Sequence, residues 1–441
     1  MKIIHTADLH FGQVLYDNYD RGDEHRHFFK QLKQWCNDEQ PDALLLSGDV
    51  FDIQQPSAAT KKAFNDYFAD LHKDCPEMHI VITAGNHDSA SRLQADSVLW
   101  QFANTTLVGV SPAMEAPEGW QEHYIVRLKP GYIIAMPYML GERKAQLQNI
   151  LDKVAAENIE GKPVVMMGHS AVAGLDATGH RFDTKNENLD GTAYIGKLKT
   201  QEVASFGQGF DYLALGHIHK PQTIGHQEDA LKQEVEYPAP VIRYSGSALH
   251  VSCDEKYPHS VSLVDIDRHG GTVRIRQLTI DELRHFYELP MEGSAFLSRE
   301  DALNGIKKFV AEYGSGYIRL HVDNKAVLPA NFIQEVYDTL ATSADEVRYN
   351  PSIIWEGQND RLEATEKPVF EVAELQQMTD PMAFIEKTIN QYPNLDLDEL
   401  REAFREVEEE VQRLSEAGAA KKAKGRKKKA NEETDEEGEA V

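Results

Sequence analysis

Carboxylates, imidazoles and one amide recur in five short polar clusters: Asp8-Leu9-His10, Gly48-Asp49-Val50-Phe51-Asp52, Gly85-Asn86-His87-Asp88, Gly168-His169-Ser170 and Gly216-His217-Ile218-His219. This mixture of donors suits two divalent ions of hard to borderline character, Mn2+ above all, with Mg2+, Fe2+ or Zn2+ as alternatives. No thiolate takes part, since Cys36, Cys75 and Cys253 lie outside the clusters. Asp8 and His10, two apart on an extended chain, would point to one side and share an ion. Asp49 sits at a tight turn, where its carboxylate can bridge ions about 3.5 to 4 Å apart. Isolated histidines such as His5, His72 and His250 read as ordinary core or surface residues and receive no role.

Each cluster follows a short apolar run, at residues 2–4, 43–46, 79–82, 163–167 and 212–215. Loops at the carboxyl ends of neighbouring strands in an open α/β sheet converge on one crevice, so clusters distant in sequence can meet there. Residues 23–40 read as a helix, with Phe28, Leu32, Trp35 and Cys36 on one stripe and Pro41 ending it. Ser57 opens a second helix with Ala63, Phe64, Tyr67, Phe68 and Leu71 facing inward. This β-α-β-α alternation predicts parallel strands. Short strands at 106–110, 123–128 and 132–136, a helix at 144–158 and strands at 241–244, 260–266 and 272–279 follow. The predicted fold is α/β, a two-sheet sandwich flanked by helices over residues 1–280.

Residues 281–360 read as a smaller α+β unit: a helix opened by Ser298-Arg299-Glu300-Asp301, a strand at 317–322, a helix at 329–342 and a strand at 346–355. Over 361–418 a charged linker with Pro368 leads to helices at 381–390 and 397–417. In the second of these, Leu397, Leu400, Phe404, Val407, Val411 and Leu414 alternate at spacings of three and four, which reads as the seam of a docking helix for a partner coiled coil or as an amphipathic helix packed on its own domain. Residues 419–441 carry a basic block and then an acidic block; such a segment cannot bury a core and reads as a disordered tail. The polar stretch 174–196, with His180, Arg181 and Lys185, reads equally as a surface loop or as a flap that faces substrate beside the site.

The series Asp-x-His, Gly-Asp-x-x-Asp, Gly-Asn-His-Asp, Gly-His and Gly-His-x-His, in this order, resembles the calcineurin-like metallophosphoesterase superfamily, and the start at Met1-Lys2-Ile3-Ile4-His5-Thr6-Ala7-Asp8-Leu9-His10 narrows the resemblance to the SbcD family of nuclease subunits. The resemblance implies one ion held by Asp8, His10, Asp49 and His219, and a second by Asp49, Asn86, His169 and His217. It makes His87 the group that protonates the leaving oxygen, with Asp52 orienting it. Asp88 is expected to cap the following helix, and Ser245-Gly246-Ser247 reads equally as lining for the phosphate path or as structure. The same resemblance makes residues 281–360 a capping domain that steers DNA. It implies an SbcC-type ATPase partner, a homodimer within a heterotetramer, and a 3′ to 5′ double-strand exonuclease and single-strand endonuclease that acts on DNA ends, hairpins and single strands.

At 441 residues the chain suits two or three domains. Three scattered cysteines argue against a disulfide framework and for a reducing setting. There is no basic-then-apolar leader and no apolar run near the roughly 18 residues of a membrane span, so a soluble, cytoplasmic protein is expected. A formal charge of −26 runs against the basic footprint of a nucleic-acid binder and implies that the chain grips DNA weakly without metals and a partner. Two other functions compete. A metal-dependent phosphatase or phosphodiesterase on the same fold is disfavoured by the additional unit and the heptad helix, and a non-catalytic scaffold by the complete ligand series.

Overall fold

Two stacked β-sheets end their parallel strands on the same side, and that edge carries the polar clusters. The computed structural model describes residues 1–16, 18–110, 118–139, 144–177, 194–195, 198–226, 234–252, 254–341 and 346–356. In chain order the sandwich strands are β1 (Lys2–Thr6), β2 (Ala43–Ser47), β3 (His79–Thr83), β4 (Thr105–Val108), β5 (Ile125–Arg127), β6 (Tyr132–Ala135), β7 (Val164–His169), β8 (Tyr212–Gly216), β9 (Gln222–Thr223), β10 (Glu234–Pro238), β11 (Val241–Tyr244), β12 (Ser260–Ile266) and β13 (Thr272–Thr279). One sheet runs β10-β13-β12-β1-β2-β3-β4 and the other β9-β11-β8-β7-β6-β5. Strands β1 to β4 pair in parallel, as do β6, β7, β8 and β11, so all five clusters leave their strands at one edge.

The period of two along each strand sorts the core. Ile3, Ala43, Leu45 and Val81 pack toward the second sheet, in one cluster with Val165, Leu213 and Leu215. Their neighbours Ile4, Leu44, Leu46, Ile80 and Ile82 turn the other way, onto Phe28 and Leu32 of helix α1 (Gly22–Glu39) and Phe64 and Phe68 of helix α2 (Ala58–Asp74). Strands buried on both faces are what parallel crossovers produce, which explains their unbroken apolar runs. Helix α3 (Lys144–Glu157) adds Leu147, Ile150, Leu151 and Val154 to the second sheet's core. The Ser57 side chain accepts from the Thr60 amide at 3.0 Å and starts α2. Gln40 closes α1 in a left-handed conformation just before Pro41.

Beyond the sandwich, helices α4 (Arg299–Tyr313) and α5 (Phe332–Leu340) pack on a sheet of β14 (Phe286–Leu289), β15 (Gly316–Asp323), β16 (Val347–Tyr349) and β17 (Ile354–Glu356), all parallel to β15. Two expected strands differ. The strand predicted over 123–128 begins as a tight turn at Trp120–Tyr124 before β5. The strand predicted over 346–355 is two strands, because Pro351 has no amide to continue the ladder. Strand β14 escaped the sequence reading, being only four residues ahead of Pro290. The flap or loop residues His180, Arg181 and Lys185, the docking seam from Leu397 to Leu414 and the charged tail lie outside the described residues. No helix among the described residues is long and apolar enough to cross a membrane.

Leu45 is fully buried between the sheets, whereas Leu99 is 72% exposed. Leu45→Ala is expected to destabilise the protein by about 2 to 5 kcal/mol, and Leu99→Ala by no more than about 0.5 kcal/mol, in urea unfolding. Equal effects would contradict the two-sheet core.

Candidate metal centre

The loop after β1 and the loop after β2 are zipped together by their backbones: the amides of Asp8, His10 and Phe11 donate to the carbonyls of Gly48, Asp49 and Val50 at 3.0, 3.1 and 3.0 Å. This zip requires unusual backbone. Asp8, His10, Asp49 and His217 all have positive φ, at 52°, 43°, 47° and 92°, a conformation that costs of order 1 to 3 kcal/mol for each non-glycine residue. Asp8 and His10 therefore converge through left-handed turns and not along the extended chain expected from their spacing. Two glycines make room. A Cβ at Gly48 would lie 2.2 Å from His169 Nδ1, and one at Gly85 would lie 2.0 Å from Asp49 Oδ1.

The geometry brings the seven predicted ligands to one place. Donor atoms of Asp8, His10 and His219 lie within 4.8 Å of one another, as do those of Asp8, Asp49 and His169 and those of His10, Asp49 and His87. His169 Nε2 is 3.2 Å from Asp49 Oδ2 and 3.0 Å from Asn86 Oδ1, and His217 Nδ1 is 3.1 Å from the same amide oxygen. The His217 amide donates to both Asp8 oxygens at 2.8 and 3.1 Å, tying β8's loop to β1's. His10 Nε2 is buried and makes no hydrogen bond, although such atoms are ordinarily satisfied. Lone pairs of two carboxylates, an amide and several imidazoles thus face one another in a region closed to solvent. Only protons or cations relieve that repulsion, and the oxygen-and-imidazole donor set fits divalent ions.

The sequence profile of the calcineurin-like phosphoesterase family matches residues 1–221, the span that supplies all seven of these residues. The chain belongs to the calcineurin-like phosphoesterase family. Among its relatives it is similar to the SbcD subunit of the nuclease SbcCD from Escherichia coli K12, at 30% identity over 284 residues, covering 59% of this chain and 65% of that one. It is similar also to the SbcD proteins of Rhodobacter capsulatus, at 29% identity over 67% of this chain and 73% of the other, and of Bacillus subtilis, at 29% identity over 60% and 66%. The match thus spans just under two thirds of the Escherichia coli relative's length.

Within this phosphoesterase centre, outer partners fix the tautomers. The buried Glu255 carboxylate accepts from His219 Nδ1–H at 2.7 Å, which leaves Nε2 as the nitrogen with a lone pair for a ligand. The Ser47 carbonyl accepts from His169 Nδ1 at 2.8 Å. His87 donates Nδ1–H to the Asp52 backbone carbonyl at 2.9 Å, and its amide donates to Asp49 Oδ1 at 2.9 Å. Asp52 meets this centre through two groups: its carboxylate lies 3.2 Å from His10 Nδ1, and its backbone carbonyl is the one that accepts from His87. Asp88 is reassigned. It caps no helix, and its carboxylate accepts the amides of Val50, Phe51 and Gly85 at 3.0, 2.9 and 2.8 Å, fastening the Asp49 loop to the Asn86 loop. The hydroxyls of Ser245 and Ser247 turn to the carbonyls of Gly246 and Leu249 and are spent on the chain itself.

Glu255 escaped the sequence reading because it sits in no motif; Asp88 stood inside the Gly85-Asn86-His87-Asp88 cluster, but its grip on the amides of another loop leaves no spacing to read.

Burial, opposed by His169 and His10 and reinforced by Asp49, raises the Asp8 carboxyl to about 7. Burial would depress His10 and His169, yet the surrounding carboxylates more than offset it and lift both to about 9. Asp49 goes well below its ordinary range: burial opposes this, but the imidazoles of His169, His87 and His10 prevail. In the ion-free protein at pH 7.5 the two raised imidazoles therefore carry protons that a cation must displace. Mn2+ titrations by calorimetry in buffers of different ionisation enthalpy are expected to show proton release at pH 7.5 that disappears above about pH 9, with affinity falling as the pH drops. Binding without proton release at pH 7.5 would contradict the arrangement.

Proposed function

We propose that the chain is the nuclease subunit of an SbcCD-type complex, hydrolysing DNA phosphodiesters as a 3′ to 5′ double-strand exonuclease and single-strand endonuclease that opens hairpins. The observation that carries this reading is the convergence of Asp8, His10, Asp49, Asn86, His169, His217 and His219 with His87 beside them. In it Asp8, His10, Asp49 and His219 hold one ion, and Asp49, Asn86, His169 and His217 the other, with Mn2+ the preferred metal. Such ions supply Lewis acidity toward a phosphoryl group and acidify water. The chain's own contribution is position and a proton. His87 keeps its Nδ1 proton on the Asp52 carbonyl, so proton exchange with the leaving sugar oxygen falls to Nε2. Asp88 holds the loops of Asp49 and Asn86 in register, and Glu255 holds His219.

The similarity to proteins named as SbcCD nuclease subunits supports DNA as the substrate class and an SbcC-type ATPase as partner. The heptad seam at Leu397, Leu400, Phe404, Val407, Val411 and Leu414 is the proposed docking helix, and residues 281–360 the proposed capping domain. A formal charge of −26 favours shared DNA binding over a lone grip on the phosphates.

A hairpin-ended duplex is expected to be cut with Mn2+ and left intact with chelator. His87→Ala is expected to lower the rate by about 10²- to 10⁴-fold while metal content is retained. A full rate in His87→Ala would remove that residue from the chemistry. Rapid hydrolysis of a phosphomonoester beside inert DNA would replace the nuclease reading by a phosphatase on the same fold.

A further inference from the structure

A line of polar side chains, buried beyond Asp52, runs outward from His10. Asp52 Oδ1, 3.2 Å from His10 Nδ1, accepts from Gln13 Nε2 at 3.3 Å. Gln13 Oε1 accepts from Arg21 Nη1 at 2.8 Å. Arg21 places Nε and Nη2 on Glu24 Oε2 at 3.0 and 2.5 Å. The other Glu24 oxygen accepts from Tyr317 Oη at 2.6 Å and Arg348 Nη1 at 3.0 Å. Tyr317 and Arg348 stand on β15 and β16 of the small domain. The path therefore begins at a predicted ligand and ends in another sheet.

Every link has a fixed direction. A guanidinium only donates, so the Gln13 amide must turn its oxygen to Arg21 and its NH2 to Asp52. Arg21 has no second way to satisfy itself: Nη1 also donates to the His250 carbonyl, and its remaining bonds go to Glu24. Gln13, Arg21, Glu24 and Arg348 are all buried, and Tyr317 is fully so. Removing one partner from such a network leaves a buried charge or polar group uncompensated, so the members move together or not at all. Asp52, by contrast, has a side chain 24% exposed, and Gln13 is the donor that keeps its carboxylate turned to His10. The same residue's carbonyl holds His87.

We propose that Gln13 is a positioning residue for His10 and His87, and that the path Gln13–Arg21–Glu24 transmits the seating of the small domain, through Tyr317 and Arg348, to the metal centre. Displacing that domain takes two donors from Glu24 Oε1, so the Glu24–Arg21 pair shifts, Gln13 follows Arg21, and Asp52 loses its hold on His10. The proposal rests on the nuclease reading only for its activity readout.

The test uses the full chain and two probes, Mn2+ alone by calorimetry and cleavage of a hairpin-ended duplex with Mn2+. Gln13→Met keeps the volume and loses both amide contacts; Gln13→Glu keeps the acceptor for Arg21 and sets a carboxylate against Asp52. Tyr317→Phe removes one hydroxyl far from the chemistry. Gln13→Met is expected to weaken Mn2+ binding and lower kcat by about 10-fold each, with KM within about twofold, and Gln13→Glu to do more harm. Tyr317→Phe is expected to lower both by about threefold, and the double variant to be no worse than Gln13→Met alone, because both cut one path. Unchanged Mn2+ affinity and kcat in both Gln13 variants would overturn the positioning role. Losses that multiply in the double variant would overturn the link to the small domain. If the wild-type chain fails to cut DNA both alone and with an SbcC-type partner, the nuclease reading falls, while the Mn2+ titrations of the same variants still decide the path.

Discussion

The structure is governed by a repulsion it cannot relieve from within. Asp8, Asp49, Asn86, His10, His169, His217 and His219 aim acceptor atoms at a common buried region, and a buried carboxylate without a counter-charge is costly by any measure. Protons on His10 and His169 meet part of that demand in the ion-free chain. Divalent cations meet it better, and the loops are strained in advance to receive them. Positive φ at four of the seven residues is backbone energy that only an over-determined surrounding can hold.

That surrounding is built in layers. Parallel strands deliver the clusters to one edge, and the backbone zip between the loops of Asp8 and Asp49 sets their spacing. Asp88 then fastens the Asn86 loop to the same unit with three amides. Glu255 and the Ser47 carbonyl choose which nitrogen of His219 and His169 faces inward. The Gln13–Arg21–Glu24 line connects this assembly to the small domain through groups that can only donate or only accept.

Much of this could be read in the residues. The apolar runs before Asp8, Asp49, Asn86, His169 and His217 announced strands, and their shared position at strand ends announced a common crevice. The sorting of Ile3 from Ile4 and of Leu45 from Leu44 and Leu46 onto two buried faces emerged only from the structure. What stayed hidden was contact between distant loops. Glu255 and Asp88 act through tertiary approach, with no periodic signal. The carboxylate of Asp52 lies against His10 and Gln13, and its carbonyl serves His87, a division that no spacing shows. Extended geometry at Asp8 and His10 was a local inference overruled by the zip to Gly48 and Asp49. Glu24 falls in the helix read over 23–40 and Arg21 just before it, and nothing in that pattern shows that both are buried, with Glu24 against Tyr317 and Arg348 of the small domain.

Crystals of the chain grown with Mn2+ and measured at the manganese absorption edge would locate the ions by their anomalous scattering. The account requires two peaks per chain, one among Asp8, His10, Asp49 and His219 and one among Asp49, Asn86, His169 and His217, separated by about 3.5 to 4 Å. A single peak, or peaks away from Asp49, would contradict it.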